Sequence, residues 1–183
     1  MLVNKIDLSF WKVIYVLIGV MVFLLYLYIH NNIARQLVIN EVAFSQKDGV
    51  DWIEIYNPTM NNWSLKGMYI SDKSDEFSKY QIDQDIVVPS KGWVVLYGEG
   101  YIGAATEQTA IMNFRIANGE TIYLVDKNGM SVIDSMTVVA GDDVQAGMSI
   151  GRFPDGGKDI FLMSQPTLGT ANKKDNLLNI KFL

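Results

Sequence analysis

The feature that most constrains this chain is an apolar run from Val13 to Ile29, seventeen residues without a charge. Phe10 and Trp11 extend the apolar character to twenty residues if the Lys12 ammonium extends toward polar headgroups. A helix of twenty residues is about 30 Å long, which matches the hydrocarbon thickness of a bilayer. Residues 13–29 are therefore predicted to form a transmembrane helix with the lipid bilayer as its partner.

A cleaved signal peptide and a buried core helix are the two alternatives for this run. A signal peptide has a shorter apolar segment that ends at small residues, whereas the segment HNNIARQ after Ile29 has one small residue, Ala34. A core helix would have a polar face, and the run has none before its ends. We therefore interpret residues 13–29 as an uncleaved membrane anchor.

The charges that flank the run predict its orientation. Lys5 and Lys12 precede it and Arg35 follows it, so the positive-inside rule favours a single-pass membrane protein with cytoplasmic residues 1–12. Residues 30–36 are then a linker, and the domain that follows lies outside the cytoplasm, at the cell surface.

The composition excludes several classes of chemistry. The chain has no cysteine and a single histidine, His30, so thiolate sites, histidine metal sites and Ser-His-Asp triads are not expected. Residues 36 to 183 carry 12 Lys and Arg against 19 Asp and Glu, a net charge of −7. Such a domain repels phosphate backbones, so no nucleic-acid partner is expected, and no cofactor either.

Short apolar runs separated by turn residues predict an all-β domain after the linker, because no window of twelve residues shows helical periodicity. Turns spaced about 8 to 12 residues apart favour a two-sheet sandwich over the alternative of a small barrel. The eight predicted strands are residues 37–44, 52–57, 68–71, 92–98, 120–126, 130–136, 149–153 and 159–163.

Three local patterns add detail. Asn128-Gly129 after Asp126 predicts a hairpin with a type I′ turn. In WIEIY, Glu54 shares a face with Trp52 and must either lie at a sheet edge or find a partner. The tail at residues 173–183 is either disordered or an additional edge strand.

Two motifs match catalytic or cofactor patterns without their context. Gly98 to Gly103 reads G-x-G-x-x-G, with Glu120 at the distance of a ribose-binding acid, but no helix is predicted to follow. Gly147 to Gly151 reads G-x-S-x-G, but no downstream histidine exists to act as base. We interpret the first as a loop after a strand and Ser149 as a hydrogen-bond donor at a strand end.

Calcium binding would need only oxygen ligands, so the acidic residues near the second strand are the metal candidates: Asp48, Asp51 and Glu54, with Asn57 nearby and Asp142-Asp143 in a distant loop. None has EF-hand spacing, and solvated charges at turns are the expected interpretation.

Several segments occur together in a recognisable order: VINEV at 38–42, DWIEIYNP at 51–58, SLKGMYISD at 64–72, GETIYL at 119–124, and SIGR at 149–152 with PDG at 154–156. In this order they resemble the lamin tail domain family, in its prokaryotic membrane-anchored form, over residues 37–172. The resemblance implies an immunoglobulin-like β-sandwich without a common catalytic centre. The residues that match the family pattern are then expected to serve packing, turns and buried hydrogen bonds: Asn40, Glu41, Trp52, Glu54, Asn57, Gly67, Asp72, Gly119, Asp134, Arg152, Gly169 and Asn172.

The resemblance also implies particular roles. Trp52 is expected in the core, Asn57 and Pro58 in a turn, and Arg152 beside an acid, while Trp63 compensates for Met68, where the family commonly has Trp.

The sequence thus predicts a membrane-anchored, non-enzymatic module that binds or tethers a protein or an envelope polymer. The alternative is a calcium-assisted binder of carbohydrate or envelope polymer. A third class, a carboxylate-based hydrolase, requires two convergent acids in a cleft.

Overall fold

The computed structural model describes residues 8–33, 37–44, 50–103, 106, 108–138 and 147–182. The chain divides into two compact units, Met1–Arg35 and Gln36–Leu183. The first contains helix α1, Leu8–Ile33, and the second contains thirteen strands among its described residues. The predominance of strands confirms the predicted mostly-β fold.

Helix α1 contains the whole predicted helical run and extends past both of its ends. Side chains of α1 are described for residues 11–26. Every residue in this range except Ile14 is exposed, and the exposed residues lie on all sides of the helix. No helix in the described part of the chain combines the length and the apolar composition that a membrane crossing requires.

The second unit forms two main sheets and a two-stranded ribbon. Strand order is β13-β12-β11-β1-β2-β7-β8 in the seven-stranded sheet and β10-β9-β4-β5 in the four-stranded sheet, and β3 pairs with β6. The bounds are β1 Val38–Ala43, β2 Trp52–Tyr56, β3 Trp63–Ser64, β4 Tyr69–Ser71, β5 Tyr80–Gln81, β6 Val87–Val88, β7 Trp93–Tyr97, β8 Ala110–Ile111, β9 Thr121–Val125, β10 Val132–Thr137, β11 Ser149–Arg152, β12 Ile160–Met163 and β13 Leu177–Phe182.

One hydrophobic core contains buried side chains from both main sheets, an arrangement consistent with an immunoglobulin-like sandwich rather than a small barrel. The seven-stranded sheet contributes Ile39, Val42, Ile53, Ile55, Leu96, Ile150 and Leu162, and the four-stranded sheet contributes Ile70, Ile122, Leu124 and Met136.

All eight predicted strands are present, and their ends differ from the predicted ones by at most two residues. Of the two possibilities for the tail, the structure has the edge strand, because β13 pairs with β12. The sequence did not predict β3, β5, β6 and β8, each of two residues, since two residues carry no alternating pattern.

The predicted type I′ turn is wrong in type, although β9 and β10 do form the hairpin. Gly129 has a φ of 69°, but Asn128 is not among the described residues with positive φ, as a type I′ turn would require. The Gly129 N–H donates to the Asp126 carbonyl at 2.9 Å, and the Asn128 Oδ1 accepts from the Met130 N–H at 2.9 Å. This turn places Asp first and Gly fourth, the preference of type I turns.

Candidate functional site

A β-bulge in β1 brings two glutamates side by side on one face of the seven-stranded sheet. The register between β1 and β2 shifts between Ile39 and Glu41, so that Ile39 pairs with Ile55 and Glu41 pairs with Glu54. Asn40 is the additional residue at the shift. The bulge allows Ile39 to enter the core while Glu41 shares the opposite face with Glu54.

Both carboxyl groups are completely buried, and hydrogen-bond donors surround them. Glu41 accepts from the Ser149 hydroxyl, from the Thr167 N–H at 3.1 Å and from the Thr167 hydroxyl at 2.6 Å. Glu54 accepts from the Asn40 side-chain amide at 2.9 Å and from the Gly169 N–H at 2.7 Å. Because β2 is a central strand, Glu54 finds partners rather than a sheet edge.

Burial raises the pKa of Glu54 to about 8, with a further rise from the nearby charges of Glu41 and Asp155. Burial also raises the pKa of Glu41, against the opposing effect of its hydrogen bonds from Ser149 and Thr167. Desolvation favours the neutral form of an acid, so Glu54 holds its proton at neutral pH.

The segments after β11 and β12 cover the carboxyl pair. Asp155 accepts from the Asn40 side-chain amide and from the Asn172 N–H, both at 3.0 Å, and the Asn40 Oδ1 accepts from the Gly156 N–H at 3.0 Å. The Asn172 side-chain amide donates to the Arg152 carbonyl at 2.7 Å. These bonds hold both segments on the sheet above Glu41 and Glu54.

Gly151 leaves the space in which the cover packs. A Cβ on Gly151 would lie 2.7 Å from Met163 Sδ, 2.9 Å from Asn172 Nδ2 and 3.3 Å from Glu41 Cγ. Any larger residue opposite Glu41 on β11 would therefore displace the side chains of Met163 and Asn172 from their present positions.

Arg152 connects the two main sheets. Its guanidinium donates to both carboxylate oxygens of Asp134 on β10 at 3.1 Å and to the Ile39 carbonyl on β1 at 2.8 Å. Asp134 also accepts from the Ile39 N–H at 2.8 Å. Burial raises the pKa of Asp134, whereas Arg152 opposes that rise. The expectation that Arg152 pairs with an acid is confirmed.

Seven of the family-pattern residues therefore belong to one polar network, which we call the buried network: Asn40, Glu41, Glu54, Asp134, Arg152, Gly169 and Asn172, together with Ser149, Asp155 and Thr167. The last two received no role from the sequence. A glutamate in the middle of an apolar strand signals that remote donors exist, but it does not identify them.

The remaining family-pattern residues lie outside this network. Asn57 fixes the turn before β3, since its amide donates to the Asn61 and Val88 carbonyls and its Oδ1 accepts from the Thr59 N–H. Asp72 pairs with Lys79 at 2.6 Å. Gly67 and Gly119 have φ values of 81° and 83° and occupy turns.

The two expectations about tryptophan have different outcomes. Trp52 is buried among the core residues, as expected, and it lies on the face of β2 opposite Ile53 and Ile55. Trp63 does not replace an aromatic core residue: it remains 40% exposed, and Met68 itself is buried in the core.

The calcium candidates do not form a cluster among the described residues, which contain no group of three acids or histidines able to hold a metal. Asp51 accepts from the Ile116 N–H at 3.0 Å, and Glu54 is committed to the buried network. Asp48 and Asp142-Asp143 lie outside the described residues.

Within the described residues, neither of the two motif-like segments opens the helix that its motif requires. Gly98 to Gly103 forms turns and bends after β7 without a helix. Ser149 is the first residue of β11 and donates its hydroxyl to Glu41, as interpreted from the sequence.

The described surface includes a polar and an apolar concavity. The larger, which we call the polar groove, has a volume of about 650 Å³ and is lined by Lys66, Asp83, Gln84, Asp85, Val87, Thr106 and Gln108. The smaller, the apolar recess, has a volume of about 160 Å³ and is lined by Leu37, Trp63, Met68, Asp126 and Ile133. Glu41 and Glu54 line neither.

The fold and the buried network define a mostly-β domain whose convergent polar residues bind one another. The family model of the Lamin Tail Domain matches residues 31–140, more than half of the chain, and the chain therefore belongs to the lamin tail domain family. No curated protein matched the sequence. Membership of an immunoglobulin-like family supports a binding or structural module as the general class of function.

Proposed function

We propose that this protein is a membrane-anchored, non-enzymatic module that presents its lamin tail domain outside the cytoplasm and there binds a protein or an envelope polymer. The burial of Glu41 and Glu54 carries this proposal most directly. They are the pair of convergent acids that a hydrolase would use, yet both have 0% exposed surface and all their described partners belong to the fold. A substrate has no access to them while the covering segments stay in place.

The anchor rests on the sequence together with the exposed helix. The uncharged run of residues 13–29 continues past Tyr26, the last helix residue whose side chain is described, and α1 extends over 26 residues. Apart from Ile14, the large apolar side chains described in residues 11–26 have exposed fractions from 44% at Trp11 to 69% at Tyr15. In water such a surface is costly, whereas in a bilayer it is favourable.

The polar groove is the contact surface that we assign to the partner. Its side chains offer an ammonium, carboxylates, amides and a hydroxyl, a mixture that recognises a surface carrying both donors and acceptors. The Gln84 Oε1 is buried without a hydrogen-bond partner within the described structure. A partner that reorients this amide can satisfy it, and unpaired buried carbonyls cost about 1 to 3 kcal/mol.

The experiment is affinity capture with the tagged full chain, solubilised from its native membranes. Lys66 and Gln108 are exposed groove residues, so the double variant Lys66→Glu with Gln108→Arg changes the groove without disturbing the core. The variant is expected to lose the captured partner at least tenfold. The control Lys174→Glu, at an exposed position beside β13, is expected to retain it. Equal capture by wild type and groove variant contradicts the assignment.

A further inference from the structure

The apolar recess lies where the polypeptide enters the domain. Leu37, the first described residue after α1, forms part of its wall and is buried, as is Met68. Trp63 forms another part of the wall and is 40% exposed, and its indole N–H donates to the Thr59 hydroxyl at 3.1 Å. The indole ring thus combines apolar exposure with a polar edge, the combination that favours membrane interfaces.

Further exposed apolar side chains belong to the segments that line this recess. Met130 is 74% exposed and Val132 is 40% exposed. Both belong to the β9–β10 hairpin, which also contributes Asp126 and Ile133 to the recess. Met60, next to Thr59 in sequence, is 77% exposed. Most of the exposed large apolar residues in the described part of the domain therefore belong to segments that line this recess. The exceptions among the described residues are Ile102 and Leu168.

A basic side chain borders the same surface. A Cβ on Gly67 would lie 3.7 and 3.8 Å from two methylene carbons of Lys127. The Lys127 side chain therefore lies beside Gly67, the residue that precedes Met68 in sequence. Lys127 is exposed. Lysines that flank apolar side chains can reach lipid phosphates while their stems pack on the surface.

The covalent chain limits how far this surface can be from an anchor. Four Cα-to-Cα steps lead from Ile33, the last residue of α1, to Leu37, and four steps span at most about 14 Å. A domain of this size has a radius of gyration of roughly 15 Å. If α1 is embedded in a bilayer, the surface around Leu37 is therefore tethered near the headgroups.

We propose that the membrane-contact patch, defined as Met60, Trp63, Lys127, Met130 and Val132, rests on the surface of the bilayer that holds α1. This inference rests on the proposed membrane anchor and adds a second contact with the same membrane. The patch limits the orientations of the domain and leaves its other surfaces for a partner. A lipid surface is the occupant because the tether length brings the patch to it without any further protein.

The absence of cysteine from the chain permits a direct test with single labelled cysteines. The environment-sensitive dye NBD is attached to Met130→Cys, to Ile102→Cys and to Leu17→Cys in the full chain. Each variant is reconstituted in vesicles of phosphatidylcholine and phosphatidylglycerol at a ratio of about 3:1, with or without doxyl-labelled lipid. Ile102 is the control because it is an exposed apolar residue outside the patch, at 101% exposure against 74% for Met130.

We expect strong quenching at position 17 by doxyl groups deep in the bilayer. At position 130, headgroup-level doxyl should quench at least twofold more than at position 102. Quenching at 17 with equal quenching at 130 and 102 overturns the membrane-contact patch while leaving the anchor intact. No quenching at 17 overturns the anchor and, with it, this inference.

Discussion

Glu41 and Glu54 lie directly opposite each other on β1 and β2, and neither side chain is exposed to solvent. Two like charges at such a position are unfavourable, so the arrangement persists only if protons or donors compensate. Hydrogen-bond donors compensate here: the Asn40 amide, the Ser149 and Thr167 hydroxyls, and the Thr167 and Gly169 N–H groups. In addition, burial holds a proton on Glu54 at neutral pH. The pair therefore stabilises the cover over the sheet.

The raised pKa of Glu54 predicts a particular pH dependence of stability. Below its ordinary value of 4.5, the group is protonated in both the folded and the unfolded state, and its contribution is fully present. As pH rises from there toward about 8, the unfolded state loses this proton first, so the free energy of unfolding falls. The slope for one such proton is at most about 1.4 kcal/mol per pH unit.

Urea unfolding of wild type and Glu54→Gln between pH 5 and pH 8.5 measures this slope. Glutamine mimics the protonated acid, so the variant is expected to lose about 1 kcal/mol at pH 5 through altered hydrogen bonds and to approach or exceed wild type at pH 8.5. Glu41 and Asp134, whose pKa values are also raised, leave a smaller residual slope. The control Glu76→Gln, at an exposed acid, should keep the wild-type slope. An unchanged slope in Glu54→Gln would contradict the assignment.

Thr167→Val tests whether the cover depends on its hydroxyl. The Thr167 hydroxyl donates to Glu41 at 2.6 Å, and it lies close to the Asn172 Oδ1, so valine removes a buried donor from between these two acceptors. The expected loss is about 2 kcal/mol in the free energy of unfolding. Thr137→Val is the matched control, because the hydrogen bond between the Thr121 and Thr137 hydroxyls is exposed and its loss should cost under about 0.5 kcal/mol. Equal losses in the two variants would mean that burial of this bond has no energetic importance.

Arg152→Met leaves Asp134 without its cation between the two sheets. Removal of one partner from a largely buried ion pair costs about 3 kcal/mol, so chemical denaturation should show a loss of that size. Lys73→Met removes one partner of the exposed pair with Glu76 and should cost under about 1 kcal/mol. A loss of less than about 1 kcal/mol in Arg152→Met would show that Arg152 does not hold the sheets together.

Calcium is expected to leave the melting temperature unchanged. A metal that bound the folded state alone would raise stability by mass action, and EDTA would reverse the increase. Asp51 accepts a backbone hydrogen bond and Glu54 is buried, so neither candidate is free to form a calcium site within the described residues. Differential scanning calorimetry with 5 mM calcium or EDTA (a concentration on the order of millimolar, typical of weak extracellular sites) checks this. A calcium-dependent rise would favour the alternative of a calcium-assisted binder.

Much of the fold could be predicted because its signals are local. Alternation in WIEIY and in residues 120–126 identified β2 and β9, and the helix followed from one uncharged run. The two-residue strands such as β8 could not be predicted, because their pairing depends on neighbours rather than on a pattern of their own. The turn at Asn128-Gly129 shows the same limit, since hydrogen bonds from Met130 and Ser131 to Asn128 accompany its actual geometry.

The buried network could be predicted only in part. WIEIY indicates that Glu54 needs a partner or a sheet edge, but the Gly169 N–H that binds it lies 115 residues away in sequence. Glu41 and Thr167 are 126 residues apart. Their pairing requires the β-bulge at Asn40, which rotates Glu41 onto the same face as Glu54, and a bulge leaves no simple mark in an apolar alternation.

Membrane fractionation of the full chain, followed by protease treatment of intact cells, tests the proposed function most directly. The account predicts that the chain remains in the membrane pellet at alkaline pH and that external protease removes the lamin tail domain. Release of the chain by alkaline extraction, or a mature chain in the medium that lacks residues 1–29, would contradict it.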